Sequence, residues 1–154
     1  MTEDRLFVTF RLGEHLFGID IADVQEVLRS QEITRVPLAG PAVRGVINLR
    51  GRIIPAVDLR RCFEMDAFAS GRAPAHIVVR GAGSASASLL VDEIGGVVDT
   101  TSASYAVTPP TLRGRVRDLL VGVYKLQGEI LLVLAIGTVL RAAVAEAPLP
   151  LGRS

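Results

Sequence analysis

The chain has 154 residues, 49% of them hydrophobic, 5% aromatic and 21% charged, with 17 Lys and Arg against 16 Asp and Glu for a net charge of +1. That length suits one domain or two very small ones, and a nearly neutral chain without Trp offers neither the basic field nor the stacking surface of a nucleic-acid binder. Cys62 is the only cysteine, which excludes an intrachain disulfide and a multi-cysteine metal cluster. In chain order, Leu6, Val8, Phe10 and Leu12 alternate with Phe7, Thr9 and Arg11, the period of a half-buried strand. Gly13-Glu14-His15 turns this strand into a second, Leu16 to Ile21. Asp20 as an N-cap, followed by apolar Ile21, Val24, Val27 and Leu28, predicts one or two helical turns. Pro37 and Pro41 bracket a loop. Residues 43 to 59 read as two strands joined around Asn48-Leu49-Arg50-Gly51, with Pro55 placing its strand at an edge or a bulge because it has no N–H to donate.

Ala69 to Pro74 is a turn-rich connection, after which the pattern restarts with a strand over His76 to Arg80, a turn at Gly81-Ala82-Gly83-Ser84, and a strand over Ala87 to Asp92. The most apolar run, Ile130 to Ile136, is far shorter than the roughly 20 residues of a spanning helix and reads as a strand buried on both faces. Met1-Thr2-Glu3-Asp4-Arg5 has no basic region leading into an apolar run, so the sequence predicts a cytoplasmic protein with no direct membrane insertion.

The restart is a repeat. Shifted by 77, Gly45 to Ile53 falls on Gly122 to Ile130 with five of nine positions identical; shifted by 70, Ile19 to Val24 falls on Leu89 to Ile94. The difference between the shifts needs only an insertion in a connecting loop, which is entropically cheap. Two copies of a small all-β unit follow, each about 65 to 75 residues, marginal alone and therefore expected to share a core.

Residues for catalysis do not assemble in the sequence. His15 and His76 lie at strand edges without metal-ligand spacing and read as surface or turn residues. Cys62 follows Arg60-Arg61 without a nearby base and reads as a half-buried structural residue. The glycines fit no phosphate-binding frame, and Asp20 with Asp23 and Asp92 with Glu93 read as solvated carboxylates at helix starts. No catalytic residue, metal or cofactor is expected. Charge is unevenly placed: residues 14 to 32 hold five acidic side chains against Arg29, a net of −4, and residues 44 to 61 hold five arginines against Asp58, a net of +4. These segments either neutralise each other or form a polar rim around a contact patch for another protein.

The chain resembles the CheW family of bacterial chemotaxis adaptors from about Leu6 to Leu140. The motifs are Phe10-Arg11-Leu12-Gly13 with Phe17-Gly18-Ile19-Asp20-Ile21, then Val24-Gln25-Glu26-Val27, and above all Gly45-Val46-Ile47-Asn48-Leu49-Arg50-Gly51 with Ile54-Pro55 and Asp58-Leu59. In the second half, Leu89-Leu90-Val91-Asp92 and Gly122-Val123-Tyr124-Lys125 fit as well. The resemblance implies an all-β fold of two five-stranded SH3-like barrels packed side by side with a shared core and short helices. It implies a single CheW-like domain over residues 1–154, with subdomains at about 14–65 and 76–135 and terminal strands free to cross between them.

The same resemblance implies a non-enzymatic scaffold that couples the regulatory domain of a CheA-type histidine kinase to the cytoplasmic tip of a methyl-accepting chemoreceptor. The kinase domain would bind edge to edge and the receptor hairpin in the groove between the barrels. Such a protein is monomeric alone and clusters with receptor arrays at the membrane. Carried over by position, Val24, Glu26, Gly45, Asn48 and Arg50 are the expected kinase- and receptor-binding residues. Gly45 suits a close backbone approach, and Arg50 suits pairing with Glu26 or with a partner's carboxylate. A small-barrel nucleic-acid binder is the alternative. The apolar Leu134 to Thr138 and the Pro-containing tail Ala145 to Ser154 depart from the family pattern, which continues into a basic closing helix.

Overall fold

The computed structural model describes residues 6–37, 40–68, 72–81, 85–101, 103–105 and 115–145. The readings of residues 1–5, of 69–71 in the connection, of 82–84 in the turn and of the tail beyond 145 lie outside these described residues. Among the described residues there are eleven strands: β1 Leu6–Leu12, β2 His15–Asp20, β3 Val24–Leu28, β4 Val43–Leu49, β5 Arg52–Asp58, β6 Ala75–Arg80, β7 Ser86–Val91, β8 Glu93–Asp99, β9 Ser104–Tyr105, β10 Leu120–Leu126 and β11 Glu129–Leu134. Three helices accompany them, α1 Leu59–Cys62, α2 Arg115–Asp118 and α3 Ile136–Ala145. None of the described helices is long and apolar enough to cross a membrane.

The strands make two sheets, one in the order β8-β1-β2-β11-β10-β9 and one in the order β3-β6-β7-β5-β4. The shift of 77 carries β4 onto β10 and β5 onto the start of β11, including the register slip that separates Val43 from Gly45 in one hairpin and Leu120 from Gly122 in the other. In each sheet a parallel pair joins a hairpin of one repeat to a hairpin of the other. Ala56 faces Ser88 across β5 and β7, just as Val133 faces Gly18 across β11 and β2. The opening hairpin of each repeat therefore sits in the sheet completed by the other repeat. The larger sheet thus combines β1 and β2 with β8 to β11, and the smaller combines β6 and β7 with β3 to β5.

The extra strand of the larger sheet is a matter of length. After β3 the chain runs on to Thr34, which exchanges two 2.8 Å backbone hydrogen bonds with Val46 on the outer side of β4. After β8 the chain runs on to β9, which pairs with β10 in the corresponding place. Each sheet is thus bridged across its open side by the segment following its edge strand.

Three apolar clusters result. The largest lies between the sheets and unites Phe10, Leu12, Phe17, Leu59, Leu89 and Val139. Two smaller ones fill the inner faces of the single sheets, one around Ile47, Ile54 and Leu90, the other around Phe7, Tyr124 and Leu131. This layering explains why β1 is buried on both faces rather than half-buried: Phe10 and Leu12 enter the shared core, and Phe7 enters its own sheet's core.

Several expectations change. The helix foreseen over 20–28 is a single 3₁₀ turn, Ile21–Asp23, capped by Asp20 Oδ1 accepting from the Ala22 N–H at 2.9 Å. The rest is strand β3, because its β-branched valines pair with β6 and the sheet overrides the helical spacing. Pro55 sits in an interior strand, so the edge reading fails, while the alternative of a bulge has a counterpart in the register shift opposite Ala56 and Val57. Its register partner Val46 directs its own N–H and C=O to Thr34, and the β7 ladder begins only at Ala56, so the missing proline N–H leaves no gap. Helix α3 arises from Ile136 onward, where the sequence reading stopped, and inserts Val139 and Ala143 into the shared core.

Candidate functional site

Four of the five expected site residues gather at the seam between β3 and the β4–β5 turn. Val24 and Glu26 lie on the half-buried face of β3. Arg50 is at the tip of the turn with φ of 52°, followed by Gly51 at 88°, two left-handed residues in succession as a tight hairpin turn with primed geometry requires. Asn48 holds the turn in shape, its Oδ1 accepting from the Gly51 N–H at 2.8 Å. The Arg50 guanidinium donates to the Glu26 carboxylate, so the seam between the outer strands is spanned by an ion pair.

Gly45 behaves differently. A Cβ at this position would stand 2.2 Å from the Thr34 carbonyl oxygen, so the close approach that the glycine permits is made by the chain itself. Gly45 is buried, and what it secures is the Thr34 bridge immediately behind the seam.

Beside the Glu26–Arg50 pair opens a cleft of about 300 Å³. Its lining combines apolar Val24 and Leu49 with Gln25, the three arginines Arg50, Arg52 and Arg80, and the single carboxylate of Glu26. Among the described residues Arg52 makes a single long hydrogen bond, 3.4 Å to Ser86 Oγ, which itself donates to Gln25 Oε1 at 2.8 Å. Arg52 and Arg80 are not singled out by the sequence reading. The available signal was the repeat overlay, in which Arg52 falls on Glu129.

Other charged groups serve the fold. Arg60 grips Asp92 with two hydrogen bonds of 2.8 and 2.5 Å, and Asp92 also accepts from the Gly13 N–H at 2.7 Å, fastening β7 to α1 and to the β1–β2 turn. Burial opposes the charged form of Asp92, yet the Arg60 hydrogen bond, the Gly13 amide and the charges of Arg60 and Arg72 hold its carboxyl below the usual range. Asp92 is thus an ion-pair partner rather than a solvated helix-start carboxylate. Asp58, almost fully buried, caps α1 and takes Arg44 at 2.8 Å and Arg61 at 3.6 Å. Of the +4 segment, therefore, only Arg50 pairs with the −4 segment among the described residues.

His76 also departs from expectation. It is fully buried, where a surface or turn position was foreseen. Its Nε2 accepts the Gln31 N–H at 3.3 Å, so Nδ1 carries the proton toward Ser88 Oγ at 2.8 Å. Burial, assisted by the positive charge of Arg44, lowers its pKa to about 4, and the ring is neutral at neutral pH. Cys62 is buried in the shared core. Among the described residues there is no cluster of His, Cys, Asp and Glu that could hold a metal ion.

A two-sheet fold with a repeated hairpin and a polar seam has counterparts among known proteins. The sequence profile of the CheW-like domain matches residues 6–144. The chain belongs to the CheW family. CheW of Treponema pallidum is 29% identical over 137 residues, covering 84% of this chain and 78% of that protein. CheW of Klebsiella aerogenes is 30% identical over 128 residues, covering 83% and 76% respectively. The crystal structure of the scaffolding protein TtCheW from Thermoanaerobacter tengcongensis superimposes with a TM-score of 0.75 at 29% identity, covering 89% of this chain and 92% of that one. This membership gives the chain the role of a chemotaxis coupling adaptor in a scaffold family, and the nucleic-acid alternative finds no support.

Proposed function

We propose that this chain joins the regulatory domain of a CheA-type histidine kinase to the cytoplasmic tip of a methyl-accepting chemoreceptor, as a cytoplasmic protein that is monomeric alone and gathers with receptor arrays at the membrane. The observation that carries this reading is the seam at β3 and the β4–β5 turn. There the expected contact residues Val24, Glu26 and Arg50 converge on an open cleft held in shape by Asn48 and Gly45. The seam couples the cleft to an edge of the same sheet, so a partner seated in one adjoins a partner paired with the other. No bond is made or broken in this task, and the chain contributes fixed geometry between two proteins.

Binding measurements test the proposal directly. Purified chain is expected to bind both the cognate kinase regulatory domain and a soluble receptor hairpin fragment, and to raise receptor-dependent kinase activity when all three are mixed. Arg50→Glu, which places a like charge against Glu26, is expected to weaken at least one of the two interactions tenfold or more. Failure of the wild-type chain to bind either partner under conditions where an established set assembles overturns the reading.

A further inference from the structure

We propose that the cleft beside the Glu26–Arg50 pair takes a carboxylate from the receptor's helical tip and holds it between Arg52 and Arg80. This deepens the coupling reading above and rests on it. Comparison of the two sheets supplies the argument. The shift of 77 places Arg52 on Glu129. The hairpin registers place Arg80 on Arg11: Ser88 and Gly18 are equivalent through the parallel pairs, Val78 faces Ser88 as Thr9 faces Gly18, and two residues further along stand Arg80 and Arg11.

In the six-stranded sheet these positions satisfy each other, with Arg11 donating to both carboxylate oxygens of Glu129 at 2.9 and 3.2 Å. In the five-stranded sheet the glutamate is replaced by an arginine. Arg80 then shares the cleft with a like charge, and among the described residues neither arginine forms an ion pair; the charge of Arg80 does favour the ionised form of Asp23, the last residue of the 3₁₀ turn before β3. Two exposed guanidiniums side by side repel each other, and a carboxylate placed between them relieves that repulsion while accepting charge-assisted hydrogen bonds. The partner's acidic side chain would thus stand where Glu129 stands in the sister sheet.

The occupant is helical for a physical reason. A helix has its backbone groups already bonded to one another, so only its side chains can be read, and a cleft lined by side-chain donors together with the apolar Val24 and Leu49 reads side chains. A kinase domain that docks through strand edges uses backbone hydrogen bonds, to which Arg52 is indifferent.

The experiment is Arg52→Glu in the full chain. It rebuilds inside the molecule the pair that Arg11 and Glu129 already make, so the variant is expected to unfold at no lower temperature than wild type. Titrated with the receptor hairpin fragment, it is expected to lose tenfold or more in affinity and much of the salt dependence of binding, while affinity for the kinase regulatory domain stays within twofold. Arg80→Gln provides an independent arm, with a smaller loss confined to the receptor. Receptor affinity within twofold of wild type in both variants, or equal loss toward receptor and kinase, overturns the proposal and leaves the coupling reading standing. Absence of binding by the wild-type chain to either partner overturns both.

Discussion

The two sheets present one backbone solution with two different fillings. Tyr124, Leu131 and Val133 line the inner face of the larger sheet where Ile47, Ile54 and Ala56 line the smaller. Phe7 packs close over Gly18 in one, and the register-equivalent His76 hydrogen-bonds to Ser88 in the other. The larger sheet is therefore closed by bulk, with an aromatic contact of 5.8 Å between Phe7 and Tyr124, and its outer arginine is neutralised by Glu129. The smaller sheet has a polar pair in its interior, and on its outside Arg52 and Arg80 form no ion pair among the described residues. What differs is where each half keeps its charge: the larger sheet pairs it internally, while the smaller leaves cations facing an open cleft. A duplicated fold can thus assign stability to one copy and recognition to the other.

The largest expected effect breaks the bridge that shapes the smaller sheet. Gly45→Val drives a branched side chain into the Thr34 carbonyl, and denaturant unfolding should show a loss of about 3 kcal/mol, the upper range for overpacking. Gly96→Ala, at a glycine whose Cβ would meet nothing within 4 Å, should change stability by no more than about 0.5 kcal/mol. Next in size, Asp92→Ala strands Arg60 and the Gly13 N–H at once, and is expected to cost about 2 kcal/mol with little change in spectroscopic signature.

His76 sharpens the comparison of interiors. His76→Phe alone removes the acceptor for the Gln31 N–H and crowds Ser88, a loss of about 1 kcal/mol. Adding Ser88→Gly copies the Phe7–Gly18 arrangement and should recover part of it in a double-mutant cycle. The pH dependence has a definite sign. The folded pKa of about 4 lies below the ordinary 6.5, so the unfolded chain takes up the proton first; stability is intact above pH 6.5 and falls as pH drops from there toward 4. The doubly substituted protein should lack that component in acid unfolding curves. The smallest effect belongs to Glu26→Gln, whose partner Arg50 is largely exposed: less than about 1 kcal/mol in stability, so any large loss of partner binding would report contact rather than unfolding.

Much of this architecture is written in local pattern. Alternation locates β1, the glycine turns locate the hairpins, and the overlay of 45–53 on 122–130 locates the repeat, because strand period and turn chemistry are properties of a few adjacent residues. Position 24–28 misleads because its spacing of valines and leucine also suits a helix, and only pairing with β6 decides it. The burial of His76 and the placing of Arg52 and Arg80 on one cleft depend on which hairpin enters which sheet. The seam residues Glu26 and Arg50 are 24 positions apart, and their pairing needs the two outer strands of one sheet to approach each other. The exchange of opening hairpins is invisible to any local signal.

That exchange sets a timetable for the chain's own assembly. Among the described residues, β2 near the start has its parallel neighbour in β11, the last of the described strands. The larger sheet cannot be completed until β11 has emerged, and the β1–β2 hairpin must wait with unpaired backbone along one side. Pairings of such long sequence separation close slowly. Truncations that remove β11 should therefore yield a chain that aggregates through β2 rather than a shorter folded protein.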